Sequence, residues 1–332
     1  MSLRSALRHL ALSPDSRDDR HISGQQMIAI QQSMERLNRL LLLQGRMAAN
    51  QLRTFGRLGC LADAEFRVSS QWGEDGIIEW LCQVLPDIPR SFVEIGVENY
   101  SEANTRFLLE NRGWRGLILD CNTVAMQALR EDALYWRHDL TAIGAFVTRD
   151  NIHDIIVEHG FDRELGILSI DIDGNEYWIL EALPDLQPAI LICEVNGVFG
   201  DIHAITIPYR ADFERLEAHF SGQYFGCSIR ALERLATRLG FTFVGTNSTG
   251  VNAFFVRSDL APVVLKRLEE VRIWPPRHRD SRDHEGRLSF VRGVARGQLI
   301  ADLPVFDIST EQVVALRDLG PLYSERFLKD FR

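Results

Sequence analysis

A chain of 332 residues with 45% hydrophobic and 25% charged residues has the composition of a soluble globular protein, enough for one large domain with additions or two small ones. Its net charge of -9 gives no global attraction to nucleic acid or to an anionic membrane surface. The five cysteines, at 60, 82, 121, 193 and 227, form no CxxC pair, which argues against a disulfide framework or a zinc site and fits a reducing cytoplasm.

Residues 1–22 are polar and charge-rich and read as a mobile lead-in. With Arg4 and Arg8 followed by Asp15, Asp18 and Asp19, they lack a signal-peptide core. Met27, Ile30, Met34, Leu37 and Leu41 then alternate three and four apart, a heptad seam. The same frame continues, weaker, through Gln44, Ala48, Gln51, Phe55 and Leu58. The pattern predicts a helical arm that pairs with another copy; a helix packed on its own domain is the alternative. Leu40 to Leu43 is far too short an apolar run to span a bilayer, so no membrane insertion is expected.

Residues 68–76 form a polar segment entering a helix at Ile77, with Glu74 and Asp75 in the first turn, where the helix dipole favours acids. Phe92-Val93-Glu94-Ile95 is a short apolar run with the character of a buried parallel strand, and Gly96 follows where the backbone must turn. A polar loop leads to a helix carrying Phe107, Leu108 and Leu109, stopped at Gly113. Leu117-Ile118-Leu119 is a second strand ending on Asp120, so the stretch is one βαβ unit. An acid closing the second strand of such a unit can take the two hydroxyls of a ribose.

Residues 124–134 read as a helix, 135–137 as a short strand ending at His138-Asp139-Leu140, and 152–157 as a helix. A strand then runs to Asp171, breaks at Asp173-Gly174-Asn175 and is followed by a helix with Tyr177, Trp178 and Leu180. Residues 189–193 make the next strand, ending in Glu194-Val195-Asn196. Asp171, Asp173 and Glu194, with Asp120 and Asp139 beside them, put acids at the carboxyl ends of neighbouring strands, where open α/β sheets bind ligands. A loop with Phe199, Asp201, His203 and Tyr209 follows, then a helix over 228–239 closed by Gly240. Two strands over 241–245 and 251–256 form an antiparallel hairpin. From Asp259 onward the tail reads as helical pieces and a charged loop whose His278 and His284 are solvated.

Alternating strands and helices closed by a hairpin resemble the seven-stranded class I S-adenosylmethionine-dependent methyltransferases. The residues that carry the likeness are Glu94-x-Gly96, Asp120, the run Ser169-Ile-Asp171-Ile-Asp173-Gly174 and the hairpin over 241–256. Within that superfamily the chain looks like the FkbM-type branch, over about 68–258. The resemblance implies a Rossmann-like, mostly parallel seven-stranded α/β sheet with an antiparallel C-terminal hairpin. Taken with the heptad seam, which the resemblance does not cover, the chain divides into an N-terminal helical oligomerisation segment (1–65), a methyltransferase domain (66–258) and a C-terminal helical extension (259–332).

The resemblance further implies S-adenosylmethionine as cofactor. Glu94 and Gly96 would face its methionine part, Asp120 its ribose and Asp139 its adenine amine, with Asp171 beside it. A hydroxyl of a sugar, glycan or glycosylated natural product would be the acceptor. A hydroxyl is a poor nucleophile at neutral pH and needs a base or a metal. His203 is the candidate base, with Asp173 and Glu194 beside it in the catalytic set. Asp173, Glu194 and Asn196 offer hard oxygen ligands suited to Mg²⁺. Glu98 and Tyr100 stand where the family's loop has glycines, a departure that opens a second reading: a methyltransferase-like scaffold without turnover. The absent G-x-G-x-x-G turn argues against a nicotinamide dinucleotide.

Overall fold

A computed structural model describes residues 24–331, so the polar lead-in over 1–22 lies outside the described residues. The chain divides into two units, one ending at Gln44 and the other beginning at Gly45. Helix α1, Gly24–Leu52, runs through the boundary. In the first unit Met27, Ile30, Leu37 and Leu41 of the heptad seam are exposed. In the second, α1 buries a different stripe, Gly45, Ala49 and Leu52. A side chain at Gly45 would meet Val68 and Phe107, which is why the helix is pared to hydrogen there.

The second unit continues with α2 (Glu74–Val84), β1 (Ser91–Ile95), α3 (Arg106–Arg112), β2 (Arg115–Asp120), α4 (Thr123–Arg130), α5 (Ala133–Arg137), β3 (Leu140–Gly144) and α6 (Ile152–Glu158). Next come β4 (Ile167–Ile170), α7 (Glu176–Glu181), β5 (Ile190–Glu194), β6 (Ile205–Thr206), α8 (Arg215–Ala218), α9 (Ile229–Arg238), β7 (Phe241–Thr246) and β8 (Asn252–Arg257). The tail adds α10 (Ala261–Leu265), α11 (Ala295–Leu299), β9 (Pro304–Asp307), β10 (Gln312–Ala315) and α12 (Glu325–Asp330).

Seven strands form one sheet in the order β3-β2-β1-β4-β5-β8-β7. The first five are parallel, and β8 runs antiparallel to both β5 and β7. With the short β6 set aside, this is the order 3-2-1-4-5-7-6 and the Rossmann-like architecture that the resemblance implies. Alternation along each strand sorts the core onto two faces. Phe92, Ile118, Ile192 and Phe254 pack with Ile77, Leu81 and Met126, while Val93, Leu119, Leu191 and Phe255 pack with Ile156, Ile179 and Leu235. Burial on both faces is what lets these strands be nearly continuous apolar runs.

Two readings of the sequence are corrected. Residues 135–137 belong to the short helix α5, capped by the Asp132 side chain, and the third strand begins only at Leu140. The tail is not purely helical: β9 and β10 form a hairpin that β6 extends to a three-stranded antiparallel sheet, over a third core of Phe199, Ile205, Phe225, Ile300 and Val305. Among the described residues no helix is long and apolar enough to cross a membrane.

Candidate active site

Strand order reverses between β1 and β4, and the loops leaving their carboxyl ends flank the crevice where such sheets bind ligands. The two loops touch through backbone. Gly96 sits at φ +84°, and a Cβ there would lie 1.6 Å from the Asp171 carbonyl oxygen. Only glycine meets both demands. The Asp171 amide donates to the Ile95 carbonyl at 3.0 Å, which carries the pairing of β1 and β4 one step past the strands.

Glu98 and Tyr100 both adopt left-handed backbone conformations, at φ +50° and +59°. The loop thus takes the path a glycine favours in spite of its side chains, at a cost of about 1 kcal/mol for each residue. The Tyr100 ring is fully buried, its hydroxyl 3.0 Å from Thr105 Oγ1, so it does not fill the crevice. The concern raised by the missing glycines is thereby removed at Tyr100. Glu98 remains at the crevice, and partial burial together with the nearby charges of Asp120 and Asp173 pushes its carboxyl upward.

Asp120, at the end of β2, joins three segments. Its Oδ2 accepts the Glu98 amide at 2.6 Å and its Oδ1 the Asn122 amide at 2.7 Å. Each oxygen keeps a further lone pair, so the carboxylate can still accept two hydroxyls. Glu94 has a different position from the one the resemblance implies. Its carboxyl accepts the amides of Asn104 and Thr105 at 2.7 and 3.0 Å and the Thr105 hydroxyl, and it is 2% exposed. Burial, partly offset by those hydrogen bonds, lifts it to about 7. Its work is to close the loop back onto α3. Asp139 does not join the site at all. It precedes β3, at the N-terminal edge of the sheet, because the strand starts later than the sequence pattern implied.

Beyond β4 and β5 the acids gather. The Asp171 and Glu194 carboxyls lie close enough to each other to share a proton. Burial first, then neighbouring acids, raises both well above the ordinary range. Glu194 Oε2 is buried without a hydrogen-bond partner in the structure. Glu176, at the start of α7, accepts the amides of Ile172 and Gly174 at 3.1 and 2.7 Å, and burial lifts it to about 7.

Asp173, at φ +56°, is paired with Arg215. Arg215 donates to Asp173 Oδ1 at 2.5 Å, to Asp280 Oδ2 at 2.6 Å and to the Gly222 carbonyl at 2.6 Å, and lies 3.8 Å over the Phe225 ring. The Asn196 side chain is also engaged, donating to the carbonyls of Gln223 and Phe225 and accepting from the Val198 amide. Among the described residues no group of three histidine, cysteine or acidic side chains is placed to hold a metal. The expected Mg²⁺ ligand set is therefore corrected: a guanidinium supplies the positive charge at Asp173, and Asn196 is a structural amide.

His203 is likewise reassigned. Its Nε2 donates to the Pro321 carbonyl at 2.9 Å, tying the loop to the C-terminal tail, and no hydrogen bond joins it to Asp171 or Glu194 among the described residues. Nor is His278 solvated. Its ring stacks on Trp72 at 6.3 Å, Arg296 lies against its Nε2, and burial drops it to about 4. Arg296, 1% exposed, also donates to Gln223 and Asp280, so the tail forms part of the wall of this edge. Glu176, Arg215 and Asp280 escaped the sequence reading. Glu176 had a visible signal, an acid directly after a Gly-Asn turn, but nothing local connects Arg215 to Asp173 across the intervening chain.

The residues present fit S-adenosylmethionine: a ribose-type acid at Asp120 and a glycine turn that brings two loops to van der Waals contact. No protein-family model and no curated protein matches the sequence. Among solved structures, the chain is similar to the pyocyanin biosynthetic protein PhzM (13% identity over 53% of each chain, TM-score 0.32). It is similar also to the O-methyltransferase NcsB1 from neocarzinostatin biosynthesis, in complex with S-adenosyl-L-homocysteine and 1,4-dihydroxy-2-naphthoic acid (13% over 50% of this chain and 49% of that one, TM-score 0.31). A third is an O-methyltransferase family protein from Burkholderia thailandensis (12% over 55% and 57%, TM-score 0.33). The chain spans about half the length of these proteins. Scores this low decide nothing about chemistry, and the fold assignment rests on the strand order itself.

Proposed function

We propose that this chain is an S-adenosylmethionine-dependent methyltransferase that methylates a hydroxyl of a sugar-bearing acceptor. The observation that carries the reading is Asp120, held by two loop amides beside the Gly96 turn in a 3-2-1-4-5-7-6 sheet. The sugar class of the acceptor rests on the FkbM resemblance alone. The cofactor, when bound, supplies a methyl group already activated on a sulfonium. Asp120 accepts the ribose hydroxyls, and the backbone of 97–101 walls the methionine end. The Asp171–Glu194 pair, at the carboxyl edge beside the Gly96 turn, receives the acceptor's hydroxyl proton at a carboxylate oxygen in place of His203, which is tied to the C-terminal tail. Arg215 keeps Asp173 turned toward the tail and neutralises part of the acid cluster. With Tyr100 buried, the scaffold reading rests on Glu98 alone, which remains at the crevice.

Calorimetric titration tests the assignment. S-adenosylhomocysteine should bind at micromolar Kd, near -8 kcal/mol. Asp120→Ala should weaken it by tenfold or more, which is about 1.4 kcal/mol. Absence of heat with both cofactor and product would end the proposal.

The exposed seam of α1 supports a second part of the same reading, a homo-oligomer built through that helix. Replacing Met34 and Leu37 together by Lys should lower the mass seen by light scattering while the second unit stays folded. An unchanged mass would remove the idea.

A further inference from the structure

We infer that the opposite edge of the sheet carries a second ligand site, one for a small phosphorylated or otherwise anionic molecule. A cavity of about 310 Å³ lies where the chain enters β1 and β2, lined among others by Arg53, Gln83, Arg90, Arg112 and Trp114. Three guanidiniums around one cavity, with no acid in its lining, form a concentrated positive site in a chain whose net charge is -9. Their partners are unequal. Arg112 is anchored to Glu79 by three hydrogen bonds of 2.8–3.1 Å. Arg53 and Arg90 have no salt bridge and no side-chain hydrogen bond among the described residues.

Gln83 is held in place by its Nε2, which donates to the Ala49 carbonyl at 2.7 Å and to Glu79 Oε1 at 3.4 Å. Arg112 shares its charge with Glu79, so the unpaired charge of the cavity is that of Arg53 and Arg90. A ligand that satisfies this lining is anionic toward these arginines. A phosphate monoester meets that demand, and guanidiniums match its oxygens in pairs. Trp114 and Ile88 add an apolar wall for the body that bears the phosphate. The site is independent of the methyltransferase reading, since it lies across the length of β1 from Asp120 and shares no residue with that edge.

The test uses the full chain at fixed ionic strength. Inorganic phosphate, a hexose phosphate and, as controls, chloride and acetate are titrated by calorimetry and by thermal shift. Saturable phosphate or hexose-phosphate binding is expected, weakened at least tenfold in Arg53→Ala/Arg90→Ala, with S-adenosylhomocysteine binding unchanged in the same variant. A tighter Kd for the hexose phosphate than for inorganic phosphate would assign the ligand to a phosphorylated small molecule, and equal values would assign it to free phosphate. Phosphate no better than chloride or acetate, or binding that survives the double substitution, would overturn the site.

Discussion

The two ends of one sheet handle charge in opposite ways. At the carboxyl edge Glu94, Glu176 and Glu194 are withdrawn from water, with Asp171 half-buried beside them, and are held by backbone amides, by one another and by Arg215. At the amino edge Arg53 and Arg90 remain exposed. Burying an ionisable group costs several kcal/mol unless it is neutralised or paired, whereas an exposed arginine costs almost nothing to keep. The carboxyl edge is therefore where the fold holds ionisable groups against its own stability, with left-handed Glu98, Tyr100 and Asp173 as the backbone counterpart of the same strain.

Three measurements would break or sharpen that contrast. The largest effect is expected for Glu94→Ala, which leaves the buried amides of Asn104 and Thr105 without an acceptor. It should cost about 3 kcal/mol or more in urea denaturation, and a loss under 1 kcal/mol would mean the loop does not depend on Glu94.

A middle effect lies in pH. Glu94 and Glu176 are lifted from 4.5 to about 7, and Asp75, whose Oδ2 accepts the amides of Val68, Ser69 and Ser70, is lifted from 3.8 to about 6, all chiefly by burial. Above the unfolded values and below the folded ones, the folded state holds more protons. Stability is then fully present below about pH 4 and falls as pH rises toward 7, by up to about 1.4 kcal/mol per pH unit for each group. Glu176→Gln should flatten this slope between pH 5 and 7; an unchanged slope would show that Glu176 is not the protonated group. The smallest effect belongs to the amino edge, where Arg53→Ala should move stability by less than about 0.5 kcal/mol. A larger change would mean that this arginine carries structure as well as charge.

How much was legible follows from the range of the interactions. β1, β2, β4, β5 and the closing hairpin were readable because each is a local apolar run between turn residues, and Asp120 and Asp171 were found by their place at strand ends. The third strand was misplaced because Tyr135 and Trp136 look β-forming, although Asp132 caps a helix there and Trp136 is largely exposed. That one slip moved Asp139 to the wrong edge. Asp173 and Asn196 had the right chemistry for a metal, but their partners, Arg215 and the carbonyls of Gln223 and Phe225, come from segments that no local pattern links to them. The β9–β10 hairpin was hidden for the same reason, being four-residue strands whose third partner lies far upstream.

That upstream partner sets a timetable for synthesis. Ile205 pairs with Asp307, so about a hundred residues separate the emergence of β6 from that of the strand that covers it. At about 5–20 residues per second, the ribosome leaves that edge open for roughly 5–20 s. During that interval Ile205 and Ile207, fully buried in the finished protein, have no lid. The nascent chain thus passes through a stage in which its main sheet is complete and its second sheet is a single strand, bridged to Cys227 on one edge and open on the other, the moment at which a chaperone or a neighbouring chain has most to bind.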